Sequence, residues 1–125
     1  MIMYYQDAVL DELKEIDSVP NSLIESGGLK IYTTFDMEAQ TKMEESILKY
    51  MGNQEELQVA SVMVNPSDGG VIALTGGLNY AKSQYNRATM SKRQVGSTMK
   101  PFLYYAALEN GLVSSSTFKS EKTTF

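Results

Sequence analysis

Arg93-Gln94-Val95-Gly96-Ser97-Thr98-Met99-Lys100-Pro101-Phe102-Leu103 is the stretch that decides how the rest of this chain is read. Gly96 breaks an extended segment, and Ser97 opens a run of helical apolar spacing, so a helix is expected over 97–110. Met99, Phe102, Leu103, Ala106 and Ala107 form its expected buried face, and Gly111 its cap. Pro101 falls near the end of the first turn, where backbone N–H groups have no intrahelical acceptor to lose. Three residues apart on one helix face, the Lys100 amine can approach the Ser97 hydroxyl. A neutral lysine can take the serine proton. The partial positive charge at a helix start stabilises an oxyanion and lowers the pKa of a nearby ammonium.

Composition leaves this chemistry few competitors. Among 125 residues there is no histidine and no cysteine. That excludes Ser-His-Asp and Cys-His catalysis, His- or Cys-ligated metal sites and disulfides. No cofactor and no metal site is expected. The bare Ser-x-x-Lys pattern is weak: 13 Ser and 9 Lys in 125 positions give about one match by chance. Three occur, at Ser46-Lys49, Ser97-Lys100 and Ser116-Lys119. Ser46 falls inside an expected helix, and Ser116 lies in a serine-rich stretch with no helical pattern after it. Only Ser97 follows a glycine and opens a helix, although a plain N-cap serine would look the same.

Working outward, residues 78–96 are polar, basic and aperiodic, which fits an extended loop. Before them, 57–64 and 71–75 are apolar runs on either side of Asn65-Pro66-Ser67-Asp68-Gly69-Gly70, so 57–75 is expected to be an antiparallel hairpin ended by Gly76-Gly77. Met37–Met51 has Ala39, Met43, Ile47 and Met51 at i+4 spacing behind Asp36 as N-cap, with Gly52 past its end. Leu29–Thr34 is β-branched and alternating, and reads as a strand. Residues 2–17 carry Tyr5, Val9, Leu13 and Ile16 on one helical stripe that ends before Pro20. Adjacent acids at Glu44-Glu45 and Glu55-Glu56 read as solvated, and the tyrosine pairs at 4–5 and 104–105 as packing residues. The fold class is α/β (α+β), helices around an antiparallel hairpin.

Charge is unevenly spread. Residues 1–62 hold 12 acids and 4 bases, a net of −8, and residues 63–125 hold 3 acids and 7 bases, a net of +4. Lys82, Arg87, Lys92, Arg93 and Lys100 suit either a solvated surface or an anionic ligand. A pI near 4.8 and the lack of a recognition motif speak against nucleic acid as partner. No window is apolar enough for a membrane span or a signal peptide.

Asn86-Arg87-Ala88-Thr89 followed by Arg93-Gln94-Val95-Gly96-Ser97-Thr98-Met99-Lys100-Pro101-Phe102 resembles the first active-site motif of the class A high-molecular-mass penicillin-binding proteins. Further matches lie in the right order. Tyr4-Tyr5 and Val9-Leu10-Asp11-Glu12-Leu13 resemble the helix that links the glycosyltransferase and transpeptidase domains of that family. The run from Gly28 to Asp36 resembles the following linker segment. Asn65 to Gly77 resembles the hairpin opening the transpeptidase domain. The resemblance implies a partial serine transpeptidase/β-lactamase-like fold, with 1–56 as interdomain linker (helix, strand, helix) and 57–125 as the N-terminal part of the transpeptidase domain.

It further implies Ser97 as acylated nucleophile, Lys100 as general base and the Ser97 N–H as half of an oxyanion hole. The substrate would be a peptidoglycan stem peptide ending in D-Ala-D-Ala. β-Lactam antibiotics and the remainder of the transpeptidase domain would be partners, and the parent protein would be extracytoplasmic and anchored in the cell membrane. The family's Ser-x-Asn and Lys-Thr/Ser-Gly motifs do not occur among these 125 residues; Lys122-Thr123-Thr124 lacks the glycine. The expectation is therefore a fragment, inactive alone, with open edges and uncovered apolar faces. A serine β-lactamase relative and a non-catalytic interaction fragment are the alternatives.

Overall fold

A short antiparallel hairpin organises the first part of the chain. The computed structural model describes residues 2–54 and 56–119. In order, the elements are α1 (Met3–Lys14), α2 (Asn21–Ser26), α3 (Met37–Met51), β1 (Ser61–Val64), β2 (Val71–Thr75) and α4 (Lys100–Glu109), with one 3-10 turn (Gly96–Met99) leading into α4. The chain forms two compact units, Met1–Ser91 and Lys92–Phe125.

The turn between β1 and β2 is built from local polar chemistry. The Asn65 side-chain oxygen accepts from the Ser67 N–H at 3.0 Å, and Asp68 Oδ1 accepts from the Gly70 N–H at 2.8 Å. Gly69 takes φ +75°, a left-handed conformation that glycine adopts without strain. The strands pair Ser61 with Thr75, Val62 with Leu74 and Met63 with Ala73, then slip so that Val64 pairs with Val71. The slip leaves Ile72 as an extra residue on β2, a bulge. Its carbonyl accepts the Asp36 N–H at 2.9 Å.

The edge of β2 away from β1 is covered by side chains rather than by a third strand. α1 and α3 both pack on β2. Gln40 of α3 is 2% exposed. Its amide oxygen accepts the Leu74 N–H at 2.9 Å and its amide nitrogen donates to the Leu74 carbonyl at 3.1 Å. A side-chain amide thus completes the backbone bonding of a buried strand residue. Replacing it with alanine strands both groups of Leu74, so Gln40→Ala should cost about 2 kcal/mol. The urea midpoint should drop while the slope stays unchanged.

Tyr4, Tyr5 and Leu74 form the core, with Ala8, Val9, Phe35, Val71, Tyr80 and Ala88 packed around them. Asp36 caps α3 as expected: its side chain accepts from the Glu38 and Ala39 N–H groups at 2.8 and 3.0 Å. Met43 is the buried member of the expected apolar row. The end of α4 is a Schellman motif: Gly111 N–H donates to Leu108 O and Leu112 N–H to Ala107 O, both at 3.1 Å, with Gly111 at φ +88°.

Five points differ from expectation. Leu29–Thr34 is extended but forms no strand, because no backbone ladder reaches it; Asp36 N–H is the nearest backbone bond to β2. The six-residue helix α2 occupies 21–26, a stretch to which no element was assigned; Pro20, in an extended conformation, serves as its N-cap residue. Gly52, expected one position beyond the cap of α3, is itself the C-cap residue, at φ −60° in the right-handed region. The apolar face of α4 is not buried: Phe102 is 69% and Leu103 64% exposed, and Tyr104 and Tyr105 are likewise exposed. Ten residues of helix cannot bury a face without a sheet or helix laid against it, and nothing among the described residues supplies one. The hairpin itself is shorter than 57–75, since 57–60 stay outside the ladder.

Candidate active site

Two clusters of residues concern function, one in each unit. In the second unit, Gly96 takes φ +53° with open space where a Cβ would sit, so its demand is purely conformational. The 3-10 turn that follows is held by the Thr98 N–H and hydroxyl, which both donate to the Val95 carbonyl, at 3.2 and 2.5 Å. The Lys100 N–H donates to the Ser97 carbonyl. The helix expected to open at Ser97 begins instead at Lys100, and Ser97 sits in the 3-10 turn that leads into it.

Gly96, Ser97, Met99, Lys100, Phe102 and Leu103 line an open depression of about 610 Å³. Ser97 and Lys100 both line it, and both are exposed. No hydrogen bond joins the Ser97 hydroxyl to the Lys100 amine, and among the described residues the Ser97 N–H donates to nothing. The arrangement offers an exposed serine, a lysine three residues on and a backbone N–H at Ser97 with no acceptor among the described residues.

The rival serines are engaged differently. Ser46 lies in the interior of α3. The Ser116 hydroxyl accepts the Val113 N–H at 3.0 Å and closes a turn. Glu44 accepts from Gln40 at 2.7 Å, a structural role for one of the paired acids; Glu55 and Lys122-Thr123-Thr124 lie outside the described residues.

In the first unit, the loop after β2 folds into a knot that sequence reasoning missed. Asn86 is 4% exposed. Its amide donates to the Tyr4 carbonyl and its oxygen accepts the Ala88 N–H, both at 3.2 Å. Arg87 donates to the Gly76 carbonyl through its backbone N–H at 3.2 Å and its guanidinium at 3.3 Å. A Cβ on Gly76 would come within 2.5 Å of Asn86 Cα, and one on Gly77 within 2.5 Å of the Tyr4 hydroxyl. Gly76-Gly77 is thus a seat for Asn86-Arg87 and Tyr4 as well as a strand end. The available signal was the coincidence of a Gly-Gly pair with an Asn-Arg pair 10 residues on, which periodicity does not weigh.

α1 is tied into the same knot. Tyr4 donates to the Ser83 carbonyl at 2.6 Å and Tyr5 to the Val71 carbonyl at 2.7 Å. Tyr80 donates to Asp7 at 2.5 Å and stacks edge-on against Tyr4 at 5.0 Å. Burial pushes the Tyr4 pKa above its ordinary value, and the Arg87 charge partly offsets this. The hydrogen bond to Asp7 is the main reason the Tyr80 pKa is also raised. Raised folded values favour the neutral phenols. Their contribution is fully present below the ordinary pKa of 10.0 and is lost as pH rises beyond it. Urea midpoints should therefore fall between about pH 9 and pH 11, and Tyr80→Phe should flatten that fall.

Residues 59–125 match the family model described as the penicillin binding protein transpeptidase domain. Over 122 residues, 98% of this chain and 18% of the relative, the sequence is 38% identical to penicillin-binding protein 2D of Bacillus subtilis (strain 168). It is 37% identical to penicillin-binding protein 1A/1B of the same organism over 108 residues, 85% of this chain and 12% of that protein. It is 46% identical to penicillin-binding protein 1A of Escherichia coli (strain K12) over 67 residues, 54% of this chain and 8% of that protein. The chain thus spans less than a fifth of the length of these relatives. No solved structure gives a significant match.

Proposed function

The chain belongs to the class A penicillin-binding proteins and covers part of their transpeptidase domain, and from that premise we propose that Ser97 is the nucleophile and Lys100 the general base of a serine D-Ala-D-Ala transpeptidase. The observation that carries the reading is the position of Ser97: an exposed serine in the turn before α4, with a lysine three residues on and an N–H that has no acceptor among the described residues. The neutral Lys100 amine takes the Ser97 proton as Oγ attacks the carbonyl carbon of the penultimate D-Ala. The Ser97 N–H donates to the oxyanion. The C–N bond breaks, and the terminal D-Ala leaves with the proton from Lys100. An amine of a neighbouring stem peptide then attacks the ester, loses its proton, and releases Ser97 with a new cross-link. Water in its place gives carboxypeptidase activity, and a β-lactam leaves Ser97 acylated.

In this reading 1–56 correspond to the interdomain linker and 57–125 to the opening of the transpeptidase domain, and the remainder of that domain completes the site. The parent protein is extracytoplasmic and membrane-anchored; among the described residues no helix is long and apolar enough to cross a membrane. One observation favours a non-catalytic reading of these 125 residues taken alone: Ser97 and Lys100 make no hydrogen bond to one another. Fluorescent-penicillin labelling with peptide mapping separates the two. A label on Ser97 in a full-length protein carrying this sequence supports the assignment; a label on another serine, Ser116 included, removes it.

A further inference from the structure

The residue before Ser97 has a backbone conformation of its own. Gly96 takes φ +53°. Among the described residues only glycines have a positive φ, so Ser97 lies at negative φ. The Val95 carbonyl accepts the Thr98 N–H at 3.2 Å, which makes 95–98 a four-residue turn with Gly96 and Ser97 at its centre. Positive then negative φ at the two central positions is the sign pattern of a type II′ turn, whose first central position favours glycine. The Thr98 hydroxyl donates to the same Val95 carbonyl, and the Lys100 N–H to the Ser97 carbonyl. The turn is thus bonded on both sides of Ser97.

The central peptide of this turn joins Gly96 to Ser97 and carries the Ser97 N–H. Closing the turn does not use that N–H, and it has no acceptor among the described residues. The direction it faces depends on the class of turn. Primed turns are mirror images of unprimed ones, so a residue at 96 that reverts to negative φ carries the Ser97 N–H to the opposite side. Space does not select the glycine: a Cβ on Gly96 meets no atom within 4 Å. Gly111 has the same demand away from Ser97, with φ +88° and equally open space around a Cβ.

We infer that Gly96 is a positioning residue for acylation. Its left-handed conformation aims the Ser97 N–H and hydroxyl at the reacting carbonyl, and a residue that resists this conformation slows acylation without weakening the preceding non-covalent binding. This rests on the reading of Ser97 as nucleophile. An oxyanion donor is engaged most strongly in the transition state, so the loss falls on the rate of acylation.

The test is the time course of fluorescent-penicillin labelling at several concentrations, in a full-length protein carrying this sequence. It separates the acylation rate constant from the dissociation constant of the non-covalent complex. Gly96→Ala is expected to lower the rate constant about 5- to 30-fold, the factor that a left-handed L-residue implies, with the dissociation constant within about twofold of the parent. Gly96→Asn is the rescue: asparagine is larger than alanine but tolerates positive φ, and should stay within about threefold of the parent. Crowding by other parts of the protein would give the reverse order. Gly111→Ala should lower the melting temperature as Gly96→Ala does, yet keep the rate constant within about twofold of the parent. Unfolded protein reduces the labelled fraction and not the rate, so loss of folding does not imitate the effect. Labelling of Gly96→Ala at the parent's rate, Asn no faster than Ala, a loss carried by the dissociation constant, or equal slowing by Gly111→Ala would each overturn the inference and leave Ser97 as the nucleophile. A parent label mapped to a residue other than Ser97 removes the nucleophile assignment itself, and the inference with it.

Discussion

Ser97→Ala abolishes covalent penicillin labelling in a full-length protein carrying this sequence, and Lys100→Ala slows acylation by ~10²–10⁴-fold. The two losses differ in kind. Without Oγ no acyl bond can form, so no residual label is expected at any exposure time. Without the amine the hydroxyl remains but loses the base three residues from it, and none of these 125 residues is a histidine that could replace it. Ser46→Ala and Ser116→Ala should leave labelling unchanged: one lies inside α3, and the other closes a local turn with Val113. The 125 residues alone should label far more slowly than a complete domain. Ser97 and Lys100 are exposed and not hydrogen-bonded to each other, and positioning accounts for a large part of such rate enhancements. The check is stoichiometric labelling followed by peptide mapping. Full-speed labelling of the 125-residue chain would contradict this account.

Tyr4→Ala should cost about 3–5 kcal/mol, as truncation of a buried aromatic ring does. That is comparable to the whole stability of a small domain. Tyr4 is 2% exposed, stacks edge-on against Tyr80, and donates to the Ser83 carbonyl. Its own carbonyl accepts from Asn86. The substitution therefore opens a cavity at the point where α1, β2 and the loop after β2 meet. Tyr4→Phe keeps the ring and loses one hydrogen bond, at a cost of about 1 kcal/mol. Tyr50→Ala, at a position 73% exposed, should cost far less. Thermal melts followed by circular dichroism should rank Tyr4→Ala well below Tyr4→Phe, with Tyr50→Ala near the parent. Equal melts for the two Tyr4 variants would show that the hydroxyl, not the ring, holds this junction.

Most of what depends on neighbours along the chain was legible in the sequence. Asp36 caps α3 through its own next residues. Asn65, Asp68 and Gly69 build their turn from groups within five residues. Gly111 ends α4 in the left-handed conformation its position suggested. A helical turn starting at the Gly96-Ser97 step was equally readable, although the α-helix proper begins three residues later, at Lys100. These features are short-range, and a few residues of sequence contain every atom involved.

Apart from the short helix α2 and the conformation of Gly52, the misses are long-range. Leu29–Thr34 has the composition of a strand, but a strand needs an edge to pair with, and Gln40 occupies the edge of β2 with its side chain. The apolar row of α4 is a true apolar row, yet burial requires a surface laid against it, and none lies within the described residues. Asn86 reads as an ordinary loop residue, although it sits buried beneath α1, 82 positions from its acceptor at Tyr4.

The sequence by itself determined the cap of α3, where the hairpin turns and which serine precedes a helix beside a lysine, because caps, turns and i+3 neighbours are set by bonds between adjacent residues. Only the tertiary structure decided that Gly76-Gly77 is a seat for Asn86-Arg87, that α1 is tied by the Tyr5 hydroxyl to β2 and by the Tyr4 hydroxyl to the loop after it, and that Leu29–Thr34 joins no backbone ladder. Those outcomes turn on which distant groups arrive first to satisfy a buried donor or acceptor. No local pattern encodes that competition.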